Sequence, residues 1–258
     1  MKILMTGDIV GQPGRTAFAR TAGRMREQQG VDMIIANAEN SAGGRGITPV
    51  ICDELFAAGA DVLTLGDHTW DQKELAPWLK NAKRVVRPAN FAPGCPGTGC
   101  VTVMVKNIPV TVISLVGRVF MSPYDCPFRT ADQILAQKNP PGGIIMVDVH
   151  AEATSEKIAL GRYLDGRVSA VAGTHTHVQT ADEEILPGGT AYITDLGMTG
   201  PKDSILGRDV NSVLQKFLTG MPSRFSIATE KVAFEGALVT VDDKTCRATG
   251  IERVREYM

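Results

Sequence analysis

Residues 2–68 read KILMTGDIVGQPGRTAFARTAGRMREQQGVDMIIANAENSAGGRGITPVICDELFAAGADVLTLGDH, and one rhythm runs through them. An apolar run, KILMTG, leads through a Gly/Pro turn into a stretch that reads as helix from about Thr16 to Gln29, with Gly30 as its stop. The apolar run VDMIIAN follows, then the Gly-rich loop SAGGRG and a helix opened by Thr48-Pro49 and closed at Gly59. ADVLTLG is a third apolar run, and DQKELAPWLKN is a further helical stretch. Short β-rich runs alternating with stop-signalled helices predict βαβ units with parallel strands. The strands are apolar on both faces, which is the pattern of a sheet covered by helices on both sides.

Outward from this stretch the pattern changes. CVTVMVKNIPVTVISLVG reads as two strands around Lys106-Asn107-Ile108-Pro109, a hairpin. Helix and strand then alternate again through RTADQILAQKN, GIIMVDVH, SEKIALGRYLDG and VSAVAGTH. EILPGGTAYIT reads as a hairpin around Pro187-Gly188-Gly189, VNSVLQKFLTG as a helix, and the two last runs as antiparallel strands. Parallel centres with antiparallel edges predict an α/β fold, a layered α/β/β/α sandwich with mixed sheets. No linker, repeat or low-complexity segment interrupts residues 1–258, so one domain is expected.

The composition narrows the function classes. Of 258 residues, 27 are Lys or Arg and 28 Asp or Glu, a net charge of -1. Binding to duplex nucleic acid relies on neutralising phosphates, and this chain has no basic excess to do it. A small phosphorylated ligand remains compatible. The N-terminal residues hold no secretory apolar core, and no run approaches the roughly 18 apolar residues of a membrane span, so no membrane association is expected. Five cysteines without a C-x-x-C read as reduced thiols. The expectation is a soluble cytoplasmic protein, with homo-oligomer formation left open.

The metal-capable residues fall at the ends of the apolar runs. Asp8 ends the first; Asn37, Glu39 and Asn40 follow the second; Asp67 and His68 follow the third. His150 ends GIIMVDVH, and His175 and His177 follow VSAVAG. All four histidines of the chain lie at these positions. In a parallel sheet such ends share one edge, where open α/β folds build ligand sites. Imidazole, carboxylate and amide oxygen together suit divalent manganese, iron, cobalt or zinc, and the lack of nearby thiolates argues against a structural zinc site. Seven candidate ligands (Asp8, Glu39, Asn40, Asp67, His150, His175 and His177) exceed what one tetrahedral ion needs. Two ions are therefore expected, with Glu39 able to bridge them. Two metals about 4 Å apart activate a bridging water and stabilise charge on phosphoryl oxygens.

Gly7-Asp8, Asn37-Ala38-Glu39-Asn40, Gly66-Asp67-His68, His150 and Gly173-Thr174-His175-Thr176-His177, in this order, resemble the calcineurin-like metallophosphoesterase superfamily. NAENSAGGRGIT, GDHTWD, RPANF and TDLGMTGPKDS resemble its bacterial YmdB-like branch, whose members are described as 2′,3′-cyclic nucleotide phosphodiesterases. The resemblance implies the calcineurin-like fold and a hydrolase acting on a small phosphate ester, a 2′,3′-cyclic nucleotide first among them. It implies that Asp8, Asn40 and His177 bind one metal, that Asp67, His150 and His175 bind the other, and that Glu39 bridges. Iron and manganese are the first choices, as divalent or mixed-valence ions; zinc or cobalt also fit the ligands. A metal-bridging hydroxide would attack phosphorus and His68 would protonate the leaving oxygen, a task suited to an imidazole.

Two positions depart from the superfamily pattern. Asp8-Ile9-Val10 stands where many members have Asp-x-His, with Asn40 as the natural replacement ligand, and Gly66-Asp67-His68 stands where Gly-Asn-His is usual. The extra charge of Asp67 predicts tighter metal binding and a less electrophilic second metal. Arg45 is a candidate for the substrate phosphate and Asn90 for the border of a base or ribose; a solvated loop arginine and a turn beside a core Phe91 are the alternatives. Asp148, two residues before His150 on the same strand face, either orients an imidazole or is structural. Ser41 lacks a nucleophile elbow, and GDIVGQPGR lacks the Gly-Lys-Ser/Thr of a P-loop. The alternative from another class is a metal-dependent regulatory module binding a nucleotide or a partner protein, with weak or incidental phosphatase activity. A metal amidohydrolase is a minor alternative.

Overall fold

In a computed structural model of the chain, which describes residues 1–137 and 143–258, the first apolar run alternates as a pleated strand must. Along β1 (Lys2–Thr6), Leu4 packs into one cluster while Ile3 and Met5 pack into another. Next come β2 (Asp8–Ile9) and α1 (Gly11–Gln29). This helix begins five residues before Thr16, because Pro13 falls in the first turn, where its missing N–H has no helical partner to lose. Gly30 closes it in the left-handed conformation at φ 66°, as predicted.

β3 (Met33–Asn37), α2 (Pro49–Ala57), β4 (Val62–Thr64), α3 (Leu75–Leu79) and β5 (Val85–Val86) complete the βαβ series. The Thr48 side chain accepts a hydrogen bond from the Ile51 amide and caps α2. The predicted helix over residues 71–81 shrinks to the five residues of α3. β6 (Cys100–Val105) and β7 (Ile108–Val116) form the predicted hairpin, turning at Lys106 and Asn107, both with positive φ. Then come α4 (Pro127–Gln137), β8 (Ile144–His150), α5 (Thr154–Leu164) and β9 (Ala170–Thr174). The last two residues of the helix predicted over 129–139, Lys138 and Asn139, lie outside the described residues. The chain ends with β10 (Glu184–Ile185), β11 (Ala191–Ile193), β12 (Met198–Pro201), α6 (Val210–Thr219), β13 (Val232–Val241) and β14 (Ala248–Tyr257).

These strands form two mixed sheets among the described residues. The first has eight strands: β1, β3, β4 and β5 run parallel, and β13 pairs antiparallel with β1, β12 and β14. The second has the order β10-β11-β9-β8-β7-β6, parallel from β11 to β7 and antiparallel at both edges. Ile3, Met5, Met33 and Ile35 of one sheet meet Val110, Val112, Met146 and Ala172 of the other between the layers. The outer face of the first sheet packs Leu4, Ile34 and Leu63 against Phe18, Ala22 and Leu55 of its helices. The outer face of the second packs Val147, Val149 and Val171 against Leu135, Leu160 and Leu164. Each buried Val, Leu, Ile, Met or Phe among them contributes about 1.5–3 kcal/mol of burial free energy. The result is the α/β/β/α sandwich the pattern predicts.

The candidate ligands are divided differently from the expectation of one parallel edge. β1, β3 and β4, which lead to Asp8, Glu39 and Asp67, belong to the first sheet; β8 and β9, which lead to His150 and His175, belong to the second. The site therefore lies where the ends of two stacked sheets face each other.

Candidate metal centre

His150 is at the centre of the convergence. Its Nε2 lies 2.9 Å from Glu39 Oε1, 3.0 Å from Asp67 Oδ1 and 3.0 Å from His175 Nδ1, and the four residues form one compact group of potential ligands. A Cβ at Gly66 would sit 2.2 Å from His150 Cδ2, so only glycine lets the end of β4 pass the imidazole this closely. Beside this group lies a second. His177 Nε2 is 3.3 Å from Asn40 Oδ1 and 3.8 Å from Asp8 Oδ1.

The rings are oriented from behind. Thr174 Oγ1 donates to Asp148 Oδ1 at 2.7 Å, so it accepts from His150 Nδ1–H at 2.9 Å. That fixes the tautomer and leaves the Nε2 lone pair free for a cation. Asp148 also accepts from Thr64 and from Asn37 Nδ2, and Asn37 Oδ1 accepts from the Glu39 amide at 3.2 Å. Asp148 is thus an orienting group acting through Thr174. His177 Nδ1 donates to the Leu206 carbonyl at 3.2 Å, again leaving Nε2 free. His175 Nε2 lies 3.2 Å from Glu152 Oε2, which leaves its Nδ1 toward Asp67 and His150.

The electrostatics fit a cation. Asp8 is fully buried; its Oδ2 accepts from the His175 amide at 3.0 Å, while Oδ1 has no hydrogen-bond partner among the described residues. A buried carboxylate oxygen left without a donor, facing the His177 imidazole, has the surroundings of a metal ligand. With protons alone to serve it, burial pushes the Asp8 carboxyl well above the usual carboxylate range. Burial also pushes His177 down to about 4, which keeps the ring neutral and its lone pair available. At His150 burial opposes the charged form, but the Glu39 and Asp67 carboxylates outweigh it and raise the ring well above its ordinary value. Imidazole and oxygen donors of this kind suit borderline or hard divalent metals.

The loop carrying two of these imidazoles is strained. His175 has φ 96° and His177 φ 63°, the left-handed region that costs about 1–3 kcal/mol for a residue with a side chain. Thr176 between them is clamped by Asp195 Oδ2, which accepts from its amide at 3.2 Å and its hydroxyl at 2.7 Å. Lys157 Nζ donates to the same oxygen at 2.6 Å, inside the core.

A cavity of about 660 Å³ opens onto the cluster and is lined by Glu39, Asn40, His68, His175 and His177 on that side. The His68 amide donates to Glu39 Oε2 at 3.0 Å, and its Nδ1 faces Asp71 Oδ2 at 3.0 Å, so Nε2 is the ring nitrogen left free. The two expected substrate contacts are elsewhere. Asn90 is buried, its amide donating to the Val116 and Asp125 carbonyls and accepting from the Val116 amide; it serves the backbone, not the cavity. Arg45 turns to Asp71 Oδ2 at 2.9 Å and borders a separate shallow depression. The arginine that lines the cavity is Arg208. Asp71, Glu152 and Arg208 escaped the sequence reading. Only Asp71 left a signal, three residues beyond His68 in GDHTWD.

Among known proteins, a 2′,3′-cyclic-nucleotide 2′-phosphodiesterase of Bacillus subtilis (strain 168) is 47% identical over 254 residues, covering 98% of this chain and 96% of that one. A hypothetical protein from Thermus thermophilus superposes with a TM-score of 0.94 at 41% identity over 100% of this chain and 99% of the other. A novel phosphatase from Mycoplasma pneumoniae gives a TM-score of 0.94 at 31% identity over 100% of this chain and 93% of its own. The sequence model described as YmdB-like protein matches residues 4–254, and with the coverage of these relatives it follows that the chain belongs to the YmdB-like protein family.

Proposed function

We propose that this chain is a cytoplasmic, binuclear metal-dependent phosphodiesterase that hydrolyses 2′,3′-cyclic nucleotides. The observation that carries the reading is the convergence of Glu39, Asp67, His150 and His175 beside a cavity that Glu39 and His175 line and whose wall bears His68 backed by Asp71. The identity with the B. subtilis phosphodiesterase supports the substrate class. In this reading Asp67, His150 and His175 would hold one ion and Asp8, Asn40 and His177 a second, with Glu39 available to either; iron or manganese would suit the donors. Such ions supply Lewis acidity toward phosphoryl oxygens and lower the pKa of water.

The chain's own groups do the rest. Water adds to phosphorus and releases a proton to the solvent, from which His68 is reprotonated after turnover; the P–O2′ bond breaks, and the product is a nucleoside 3′-phosphate. The departing 2′-oxygen needs a proton, and His68 Nε2–H is the donor, with Asp71 steadying the imidazolium through Nδ1–H. Glu39 Oε2 fixes the backbone of His68 beside the cluster. Thr174 and Asp148 keep His150 in the tautomer that ligates.

The test is elemental analysis of the purified protein paired with turnover of 2′,3′-cyclic nucleotides with manganese or iron supplied. Two equivalents of metal and saturable hydrolysis are expected. Saturable binding without hydrolysis would instead identify a regulatory module, and a metal-free active protein would remove the centre altogether.

A further inference from the structure

The cavity extends well beyond the ligand cluster. From His68 and His177 it continues past Leu206 and Arg208 to Val213, Phe217 and Phe225. Two features of this outer part have no role in holding metal or moving protons.

The first is a cation without an anion. Arg208 forms no ion pair among the described residues; Nη1 donates to the Gly43 carbonyl at 3.1 Å and Nη2 to the Gly44 carbonyl at 2.6 Å. A guanidinium has five N–H donors, so these neutral acceptors leave it both charge and donors to spare. The Gly44 carbonyl also accepts from Asn40 Nδ2 at 3.3 Å, which puts the guanidinium one carbonyl away from a candidate ligand. Gly44 has φ 85°, a conformation residues with a side chain rarely adopt, so glycine suits the turn that presents this carbonyl to the guanidinium. The second feature is an aromatic wall. Phe217 is 80% exposed although it lines the cavity, and Phe225 faces the same space with Lys216 Nζ 5.2 Å above its ring centre. Exposed phenylalanine lining a concave site offers an apolar face where a ligand can be covered.

We propose that Phe217 and Phe225 flank the nucleobase of the substrate while Arg208 holds a non-bridging oxygen of its phosphate, making the cleft selective for nucleoside cyclic phosphates over base-free ones. This assignment rests on the phosphodiesterase reading above. A planar, π-faced ligand is favoured because the wall is aromatic and apolar, whereas the cationic and ligand-bearing end meets an anion; a nucleotide has both parts in one molecule. The cavity volume is that of a small-molecule site.

The experiment is steady-state kinetics of the manganese-loaded full chain on adenosine 2′,3′-cyclic phosphate and on methyl riboside 2,3-cyclic phosphate, which lacks the base. Phe217→Ala is expected to raise KM for the nucleotide about five- to a hundredfold with kcat unchanged, as loss of one stacking partner does. Its kinetics on the base-free ester should not move, and Phe217→Tyr should restore the nucleotide KM. Phe225→Ala should repeat the pattern, while Arg208→Gln should weaken both substrates alike. Equal losses on both substrates for Phe217→Ala, or none on either, overturn the aromatic wall. If the unaltered chain hydrolyses neither ester, the phosphodiesterase reading falls, and calorimetry decides the wall separately. Tighter binding of adenosine 3′-phosphate than of inorganic phosphate, lost in Phe217→Ala, supports it; equal binding of the two overturns it.

Discussion

His68 Nδ1 lies 3.0 Å from Asp71 Oδ2, and the same carboxylate oxygen accepts from Arg45 Nε at 2.9 Å. The pair orients the imidazole, leaving Nε2 as its one free nitrogen, and Arg45 anchors the carboxylate that does so. Asp71→Ala should therefore act through His68. Turnover of substrates with poor leaving groups should fall about a hundredfold, the scale of general acid catalysis, with metal content unchanged. Activated aryl phosphates, which need little protonation, should be spared. Adding His68→Ala to Asp71→Ala should cost little more, since the two residues work as one unit. An equal loss on aryl and alkyl esters would sink the orienting role.

Thr174 is the hinge of the tautomer argument. Its hydroxyl is the one group that both accepts from His150 Nδ1–H and donates to Asp148. Thr174→Val keeps the shape and removes the hydroxyl. Removing such an orienting partner weakens metal binding about 10–100-fold. Titration with manganese, read by the metal-dependent rise in melting temperature, checks this; an unchanged affinity would show that His150 needs no fixing from behind.

Most of the sandwich was legible because its central strands are covered on both faces and read as unbroken apolar runs, while Gly30 and Thr48 mark helix ends by their own chemistry. The turns that carry the candidate ligands were legible because they directly follow such runs. The division between two sheets was not, since pairing depends on distant partners: β13, near the C-terminus, joins β1 and β12. From sequence Asn90 reads either as a border to a base or ribose or as part of a turn beside a core Phe91; the buried backbone groups of Val116 and Asp125 take its amide, which favours the turn. Arg208 and Glu152 are ordinary surface residue types by sequence, and only the folded chain brings them to the cleft and to His175.

In the proposed centre Asp67 would bear on metal affinity through its charge. Its Oδ1 faces both His150 Nε2 at 3.0 Å and His175 Nδ1 at 3.5 Å. Burial works against its ionisation, but the hydrogen bonds to these two rings prevail and hold the carboxyl below the usual range. It is therefore a full negative charge at the cluster. Asp67→Asn retains an oxygen and loses that charge, so metal affinity should drop by at least about tenfold. Turnover per loaded site should rise, because a less neutralised cation is the stronger electrophile. Metal titration and kcat measured at saturating metal separate the two effects, and no change in either would refute the charge argument.

Lys157 and Asp195 link the core to the strained imidazole loop. Both are buried, the Nζ–Oδ2 distance is 2.6 Å, and the same oxygen clamps Thr176 between two residues with positive φ. Lys157→Met preserves much of the volume and strands the carboxylate without its counter-charge. Breaking a buried pair from one side costs about 3–5 kcal/mol, a large part of the stability of an ordinary domain. The expected outcome has two parts. The unfolding free energy from denaturant titration falls by that amount, and metal affinity falls with it, because Thr176 loses the fixed acceptor that holds His175 and His177 in their left-handed conformations. A destabilised variant with unaltered metal affinity would mean that the loop keeps its shape without the ion pair, and Asp195 would then be a support for the core alone.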